Sequence, residues 1–256
     1  MEVITSTKNQ TVKEIKKLAK KKYRDQTNTY VIEGFHLIEE AIQYNQPLKK
    51  LAVTPSVFET IQEVELFASV LESLLVVDEL VFQSMSTLPT PQGILAVVDK
   101  EKVNQAISLD GPFIMLDQVQ DPGNIGTIIR TADAAGFSGV ILGEGCADIY
   151  QPKVMRAMQG SHFHLPIYQQ ALEPFVKTLQ QADYTVYATA LDSQAKSYRE
   201  MISKEKLAII MGNEGQGVSD SLLSLVDQTV YIPMPGHAES LNVAVAAGIV
   251  MFQVIK

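Results

Sequence analysis

The stretch Phe113-Ile-Met-Leu-Asp-Gln-Val-Gln-Asp-Pro-Gly-Asn-Ile-Gly-Thr-Ile-Ile-Arg-Thr-Ala-Asp133 indicates the fold class of this chain. It opens with four apolar residues, which is typical of a buried strand, and a Pro-Gly pair then marks a turn. The isoleucines that follow recur at helical spacing. A strand, a short turn and a helix form half of a βαβ unit, so the stretch predicts an α/β fold with a mostly parallel sheet.

The same alternation extends to both sides of this stretch. In the carboxyl-terminal half, strands are predicted at residues 113–116, 140–142, 165–168, 185–190, 207–211 and 230–233. In the amino-terminal half, shorter α/β material is predicted, with strands at 30–32, 51–53, 74–77 and 93–98 and helices at 35–44 and near 58–66. The charged segment 99–111 is predicted to be a linker. We therefore expect a smaller domain at 1–107 and a larger one at 108–256.

Composition limits the class of protein. The chain has 256 residues, 46% of them hydrophobic and 20% charged, so about 70% of its surface can be buried on folding. No apolar run reaches the length of a membrane span and the first ten residues lack a secretory signal, so we expect a cytoplasmic protein without membrane contact. The single cysteine, Cys146, excludes an internal disulfide and a Cys-rich metal site. We expect it to be a buried or half-buried packing residue.

Charge is distributed unevenly along the chain. The net charge is −8, yet residues 1–24 carry eight basic and two acidic side chains, which leaves −14 for the remainder. A basic arm on an acidic body suits local binding of a polyanion such as RNA. The alternative is a solvated amphipathic helix whose buried stripe is formed by Val12, Ile15, Leu18 and Ala19.

Three loops follow predicted strands, where open α/β sheets bind their ligands. In the first, Asn124 lies at the start of a helix and Arg130 lies six residues later, about 120° around and about 9 Å along the axis. Backbone amides and a guanidinium at a helix start can bind a phosphate or ribose. The alternative is a helix capped by Asn124 with Arg130 as a surface residue.

The second loop reads Gly212-Asn-Glu-Gly-Gln-Gly217. Its glycines permit close approach of a ligand to the backbone, but the spacing is neither the dinucleotide fingerprint nor a P-loop. Glu214 either accepts a hydrogen bond from a ligand or is an exposed turn residue. In the third loop, Ser240 is a plausible N-cap for the final helix and Asn242 can point into the loop cluster. His237 reads as a solvent-facing loop residue.

Taken together, the three loops resemble motifs one to three of the SpoU (TrmH-type) RNA ribose 2′-O-methyltransferases of the SPOUT superfamily. The matching segments are Asn124-Ile-Gly-Thr-Ile-Ile-Arg130-Thr-Ala, Gly212-Asn-Glu-Gly-Gln-Gly217, Ile232-Pro-Met234 and Ser240-Leu-Asn-Val-Ala244. Residues 152–156 and 160–166 also resemble the segment between motifs one and two. The resemblance covers about residues 110–256, and the segment starting at 30–34 resembles a substrate-binding domain found with this family.

This resemblance implies a deep trefoil knot and a homodimer formed through the carboxyl-terminal domain. It also implies that both subunits contribute residues to each active site. General folding rules would instead give an unknotted sheet. It also implies S-adenosylmethionine as methyl donor and no metal. The donor pocket would comprise Thr189, Ala190, Leu191, Gly212, Glu214, Gly215, Ile232, Met234, Ser240, Leu241 and Asn242.

By the same resemblance, Asn124 and Arg130 would lie near the ribose 2′-hydroxyl, surrounded by Glu214, Ser240 and Asn242. A guanidinium stays charged in proteins, so we expect Arg130 to anchor phosphate and stabilise the forming alkoxide rather than act as a base. The expected RNA contacts are Lys16, Lys17, Lys20, Lys21, Lys22, Arg24, Arg130, Lys153 and Arg156. The appended domain and basic arm favour ribosomal RNA over transfer RNA; a non-catalytic RNA-binding module is the alternative from another class.

Overall fold

The computed structural model describes residues 2–100 and 107–255. Of these, the residues up to 100 join 150–163 in one compact unit, and 107–149 join 164–255 in a second. The expected division at 107 and 108 therefore differs from the structure in one segment, because 150–163 lies with the amino-terminal unit. Residues 101–106 of the predicted linker lie outside the described residues.

The amino-terminal unit is a mixed sheet covered by helices. Its elements are β1 (Val3–Ile4), α1 (Gln10–Lys17), α2 (Lys21–Thr27), β2 (Thr29–Glu33), α3 (Phe35–Gln43), β3 (Leu48–Val53), α4 (Pro55–Ile61), a 3-10 helix (Glu65–Ser73), β4 (Leu74–Val77), α5 (Glu79–Met85) and β5 (Ile94–Asp99). The strand order is β1-β4-β3-β5-β2, and β5 runs antiparallel to both of its neighbours.

The carboxyl-terminal unit is a seven-stranded sheet in which all pairs are parallel. Next along the chain come β6 (Phe113–Leu116), α6 (Pro122–Ala134), β7 (Gly139–Leu142), α7 (Pro152–Met158, which belongs to the amino-terminal unit), β8 (Ile167–Gln169), α8 (Leu172–Gln181), β9 (Thr185–Thr189), β10 (Lys196–Ser197), β11 (Leu207–Met211), α9 (Asp220–Leu223), β12 (Gln228–Tyr231) and α10 (Val243–Val254). The strand order is β10-β12-β9-β11-β6-β7-β8.

The predicted α/β class with a parallel sheet is confirmed, and β4, β6 and β11 have the predicted bounds. The last strand starts earlier than predicted, because β12 begins at the polar pair Gln228 and Thr229, which an apolar pattern does not mark. Strands β1 and β10 are not predicted from the sequence, since two residues are too few to show a period. The trefoil knot stays a prediction.

The core of the larger unit is built on β6 and β11. Every residue of these two strands is at most 1% exposed. The side chains of Phe113 and Met115 pack with Phe175 and Leu179 of α8 on one face of the sheet. Helix α10 packs along α6 and also contacts β11. Coverage of both faces explains why these strands are apolar throughout.

The basic arm forms two short helices rather than one. Val12, Ile15 and Leu18 are buried as predicted, but Ala19 is exposed because α1 ends at Lys17. Asn9 caps α1 by accepting from Thr11 N at 2.9 Å. No helix within the described residues combines the length and apolar character needed to cross a membrane.

Arg24 corrects the predicted set of RNA contacts. Its side chain is 2% exposed, and Nη1 donates to the carbonyl oxygens of Leu18 at 2.8 Å and Ala19 at 2.9 Å. These carbonyls lie past the end of α1, where no intrahelical donor is available. Arg24 therefore stabilises the turn between α1 and α2. Because its side chain is buried, it does not belong to the surface that could contact RNA.

We expect Arg24→Ala to lower the free energy of unfolding by about 1–3 kcal/mol, because the buried Leu18 carbonyl would lose its donor. Lys22→Ala, an exposed change two residues away, should stay within about 0.5 kcal/mol of the parent. Denaturant unfolding followed by circular dichroism measures both. Equal stability of the two variants would contradict a structural role for Arg24.

Candidate active site at the carboxyl ends of the parallel strands

Strands β6 and β11 pair in register from Phe113 and Ala208 to Leu116 and Met211, so their loops leave the sheet side by side. Asp117 begins the first loop and is 7% exposed. Its backbone N–H donates to Met211 O at 2.9 Å and its Oδ2 accepts from Ser219 N at 2.8 Å. Asp117 thus fastens the first loop to both ends of the second.

Sequence reasoning did not single out Asp117. The sequence feature that could have drawn attention to Asp117 is its position directly after an all-apolar strand. A carboxylate that is buried at such a position needs a specific hydrogen-bond partner. The partner is the backbone of Ser219, which lies 102 positions further along the chain. No local pattern links two such distant positions.

The second loop is a narrow turn closed by its own backbone. Asn213 and Gly217 exchange two backbone hydrogen bonds of 3.0 and 2.9 Å, and Asn213 Oδ1 accepts from Gly215 N at 2.9 Å. A Cβ on Gly212 would lie 2.0 Å from the carbonyl carbon of Gly217, and Gly217 itself has φ +74°. The glycines at these two positions are therefore required by the turn.

Glu214 is held by donors from the first loop. Its carboxylate accepts from Asp121 N at 3.2 Å, Gln120 N at 3.4 Å and Asn124 Nδ2 at 3.0 Å. Burial acts to raise the pKa of Glu214, but these hydrogen bonds outweigh it and leave the pKa below its ordinary value. Glu214 is therefore an ionised acceptor at neutral pH and a weak base.

Asn124 links Glu214 to the third loop. Its Oδ1 accepts from Asn242 Nδ2 at 2.9 Å, while Asn242 Oδ1 accepts from Ala244 N at 2.9 Å and Val245 N at 3.3 Å. Three side chains, one from each predicted loop, thus form a continuous hydrogen-bonded chain. We refer to Asn242, Asn124 and Glu214 as the amide relay.

This geometry corrects the predicted cap of α10 and the alternative in which Asn124 caps α6. Asn242, not Ser240, is the N-cap of α10. Asp121, not Asn124, caps α6, because its Oδ1 accepts from Gly123 N at 2.7 Å and from Asn124 N at 3.0 Å. The amide of Asn124 is thereby free to face Glu214 and Asn242. Ser240 precedes the cap in an exposed segment.

Two residues expected near the hydroxyl are not brought to the amide relay. Arg130 is exposed on α6, and within residues 2–100 and 107–255 it forms neither a hydrogen bond nor an ion pair. Ser240 is likewise exposed and makes no hydrogen bond in the described part of the chain. Both guanidinium and hydroxyl are thus available to a ligand or a second chain.

The expected donor pocket lies at the neighbouring ends of β9, β11 and β12. Ala190 N donates to Val230 O at 3.0 Å, which fixes the backbone beyond β9, and Leu191 is then 79% exposed. Ile232, Met234 and Leu241 are half-buried around the same edge. Uncovered apolar side chains beside glycine backbone suit the adenosine and thioether parts of S-adenosylmethionine, so the residues fit this donor.

Cys146 and His237 take no part in this group. Burial raises the pKa of the Cys146 thiol to about 11, and its Sγ donates to Leu116 O at 3.3 Å. The thiol is therefore protonated and half-buried, as predicted. His237 is exposed in the segment before α10, also as predicted.

Comparison with known protein families agrees with the geometry. A model of the SpoU rRNA Methylase family matches residues 111–252, and a model of the MRM3-like substrate binding domain matches residues 9–96. The chain belongs to the SpoU rRNA methylase family. The predicted family and enzyme class, an RNA ribose methyltransferase, are confirmed, as is S-adenosylmethionine as its methyl donor.

Individual relatives match over nearly the whole chain. A Bacillus subtilis (strain 168) protein named 23S rRNA (guanosine(2553)-2′-O)-methyltransferase RlmP is 43% identical, with 98% of both chains covered. The AdoMet-bound rRNA methyltransferase from Sinorhizobium meliloti has a TM-score of 0.86 and 33% identity, covering 99% of this chain and 97% of that one. The SpoU methyltransferase AviRb from Streptomyces viridochromogenes, in complex with AdoMet, has a TM-score of 0.80 and 25% identity, with 96% and 97% covered.

The amide relay can be tested separately from the helix cap. In Asn242→Asp, the carboxylate still accepts from the first N–H groups of α10 but cannot donate to Asn124 Oδ1. We expect turnover to fall about 100-fold through misplacement of Asn124, with the unfolding midpoint unchanged.

Asn242→Ala removes the cap as well, so it should lose turnover together with about 1 kcal/mol of stability. Steady-state turnover and thermal unfolding of both variants measure the difference. An Asn242→Asp enzyme that works at the parent rate would show that the relay has no part in the reaction.

Proposed function

We propose that this protein methylates the 2′-hydroxyl of a ribose in ribosomal RNA. The observation that carries the proposal is the amide relay, which joins all three family motifs beside the expected donor pocket. The similarity to the Bacillus subtilis protein named for 23S rRNA methylation supports ribosomal RNA as substrate class. The match of residues 9–96 to a substrate-binding domain supports a separate region for RNA.

In this proposal the chain's own residues orient the ribose and stabilise charge. S-Adenosylmethionine supplies, when bound, a sulfonium methyl group that a hydroxyl oxygen can attack in line. Glu214 holds the amide of Asn124, and Asn124 and Asn242 present polar groups toward the ribose. Positioning of this kind removes much of the entropic barrier to a displacement.

Neither Glu214 nor Arg130 is suited to take the hydroxyl proton. The lowered pKa of Glu214 makes it a poor base, and the Arg130 guanidinium stays protonated. We assign the proton to an RNA phosphate oxygen or to water. Arg130, exposed and unpaired in the described part of the chain, then anchors a phosphate and stabilises the developing alkoxide.

We also propose a homodimer formed through α10. The helix is nonpolar at every position except Gln253, and Val245 and Phe252 are each 52% exposed. A helix that is hydrophobic all round is normally buried, so this face requires a partner. A second copy would also explain why Arg130 is not brought to the amide relay within one chain.

RNA binding is assigned to the basic arm. Lys16, Lys17, Lys20, Lys21 and Lys22 are all exposed, and among the described residues Lys21 forms an ion pair only with Asp25 of the same helix, at 3.1 Å. Such exposed pairs are weak, so the charge remains available to a phosphate backbone. Lys153 and Arg156 on α7 lie in the same unit and extend the proposed contact set.

The proposed function is tested by mapping 2′-O-methyl groups in ribosomal and transfer RNA from cells with and without the gene. We expect one or a few ribosomal positions to lose methylation, and purified enzyme with labelled donor to restore them. If methylation is lost only from transfer RNA, the substrate is transfer RNA rather than ribosomal RNA. Unchanged methylation in both pools and no activity of the purified enzyme would favour a non-catalytic RNA-binding module.

We expect Arg130→Ala to lower turnover about 10²- to 10³-fold, because the variant lacks one preorganised electrostatic interaction with the transition state. Donor affinity by calorimetry should change less than about twofold, since the donor loops follow other strands. Arg130→Lys should recover little, because lysine lacks the planar two-pronged donor geometry. Near-normal turnover of both variants on saturating RNA would show that Arg130 is a surface residue with no role in the reaction.

Neutralising Lys16, Lys17, Lys20, Lys21 and Lys22 to Gln should weaken RNA binding and flatten its salt dependence. For every phosphate that the variant no longer neutralises, the slope of log affinity against log salt should fall by about 0.7–0.9. Binding titrations at several salt concentrations measure the slope. An unchanged slope would show that the basic arm does not contact phosphates and is a solvated helical surface.

For the dimer, Phe252→Glu should yield monomers in sedimentation velocity, because a carboxylate would be buried in an apolar interface. Leu80→Glu is the matched control, since Leu80 is 76% exposed but lies in the amino-terminal unit. If Phe252→Glu sediments like the parent protein, α10 does not form the interface.

A further inference from the structure

A groove on the amino-terminal unit lies outside the three motif loops. It runs between α1, β2, the end of α5 and α7. Its floor is apolar, formed by residues that are each at most 6% exposed, namely Ile15, Leu18, Leu37, Met85 and Met155. Helix α7 closes one side, although it comes from the carboxyl-terminal half of the sequence.

The rim of the groove bears two positive charges. Lys16 on α1 and Arg156 on α7 both line it. In the part of the chain that the structure describes, neither forms an ion pair. Arg156 Nη1 makes only a long hydrogen bond of 3.5 Å, to Thr87 Oγ1. The charged residues lining the groove are these two cations and the carboxylate Glu33, so the groove keeps a positive balance in a protein of net charge −8, which favours an anionic occupant.

The carboxylate in the groove does not cancel these charges by direct pairing. Glu33 accepts from the Ser86 hydroxyl, from Thr87 N at 3.0 Å and from the Thr87 hydroxyl at 3.3 Å. These bonds orient the carboxylate and fix the 86–88 turn as one wall, while its negative charge remains in the groove. Glu33 therefore shapes the groove rather than binding a cation in it.

An aromatic ring completes the lining. Tyr150 packs against Tyr30, with ring centroids 4.7 Å apart, and Lys100 Nζ lies 4.8 Å from the centroid of the Tyr150 ring. The ring is thus held in place before any ligand arrives. A fixed aromatic side chain and an apolar floor suit contact with a planar base, since proteins that bind single-stranded RNA hold unstacked bases against aromatic and apolar side chains.

We propose that this groove binds one unpaired nucleotide of the RNA substrate. The base lies between Tyr150 and the apolar floor, and Lys16 and Arg156 contact the phosphates on its two sides. This inference rests on the proposed function, because it takes RNA as the substrate. It adds a base-binding site on the amino-terminal unit, distinct from the ribose that is methylated.

Ala19 provides a clean test, because its exposed side chain lines the groove at the end of α1. Ala19→Leu fills the space without adding a ring or a charge, whereas Ala19→Ser leaves it open. We expect Ala19→Leu to raise the KM for ribosomal RNA about 5- to 100-fold, the range for removal of one base stack. Turnover at saturating RNA and donor affinity should match the parent and Ala19→Ser.

The charges are tested by Arg156→Gln, with Lys13→Gln as matched control on the exposed side of α1. Arg156→Gln should raise KM several-fold more than Lys13→Gln. Ribosomal RNA transcribed with 4-thiouridine should crosslink to the peptide that contains Tyr150 and Met155, and Ala19→Leu should abolish that crosslink.

Each outcome separates this inference from the proposed function. If the parent enzyme methylates RNA but Ala19→Leu has an unchanged KM and crosslink, the groove does not bind a nucleotide and the proposed function stands. If Ala19→Leu impairs methylation of assembled ribosomal particles but not of naked RNA, the occupant is a protein and the inference is overturned. If the parent enzyme methylates no RNA, the proposed function itself fails.

Discussion

The side-chain amide of Asn124 can take only one orientation, and the arrangement of the site depends on it. Glu214 is ionised and can only accept, so Asn124 must present its NH₂ group there. Asn242 must turn its own oxygen toward the first N–H groups of α10, which leaves its NH₂ group for the oxygen of Asn124. Both ends of the amide relay are fixed by chemistry, so its direction is fixed as well.

This constraint joins segments that have different structural roles. Asn242 starts the last helix, Asn124 lies in the first turn of α6, and Glu214 lies in a turn beyond the central strand β11. The relay therefore locks the position of α10 relative to the sheet edge. Asp117 does the same at the base of the loops, where it binds the backbone of Ser219. Asp117 is buried, so breaking its link would leave a buried carboxylate without its backbone donor, which is costly. The amide relay is solvent-exposed and acts by orienting its side chains.

The amino-terminal unit shows a different use of polar side chains. Arg24 and Glu33 are both charged, yet each is bound to local backbone or hydroxyl groups. Their neighbours Lys16 and Arg156 keep their charges available. The positive surface therefore depends on which basic residues the fold leaves exposed, and a count of lysines and arginines along the chain overestimates it by Arg24.

The α/β class, the parallel sheet and the three loops follow from the amino-acid sequence alone, because apolar periodicity and glycine spacing are local properties. The family motifs in that sequence also indicate Asn124, Glu214 and Asn242 as candidate site residues. No sequence pattern places segment 150–163 with the amino-terminal unit, assigns the caps to Asp121 and Asn242, or reveals the role of Asp117. Those outcomes depend on partners distant in the chain or on competition between adjacent side chains for the same N–H groups. Which partner is within reach is determined only when the chain has folded.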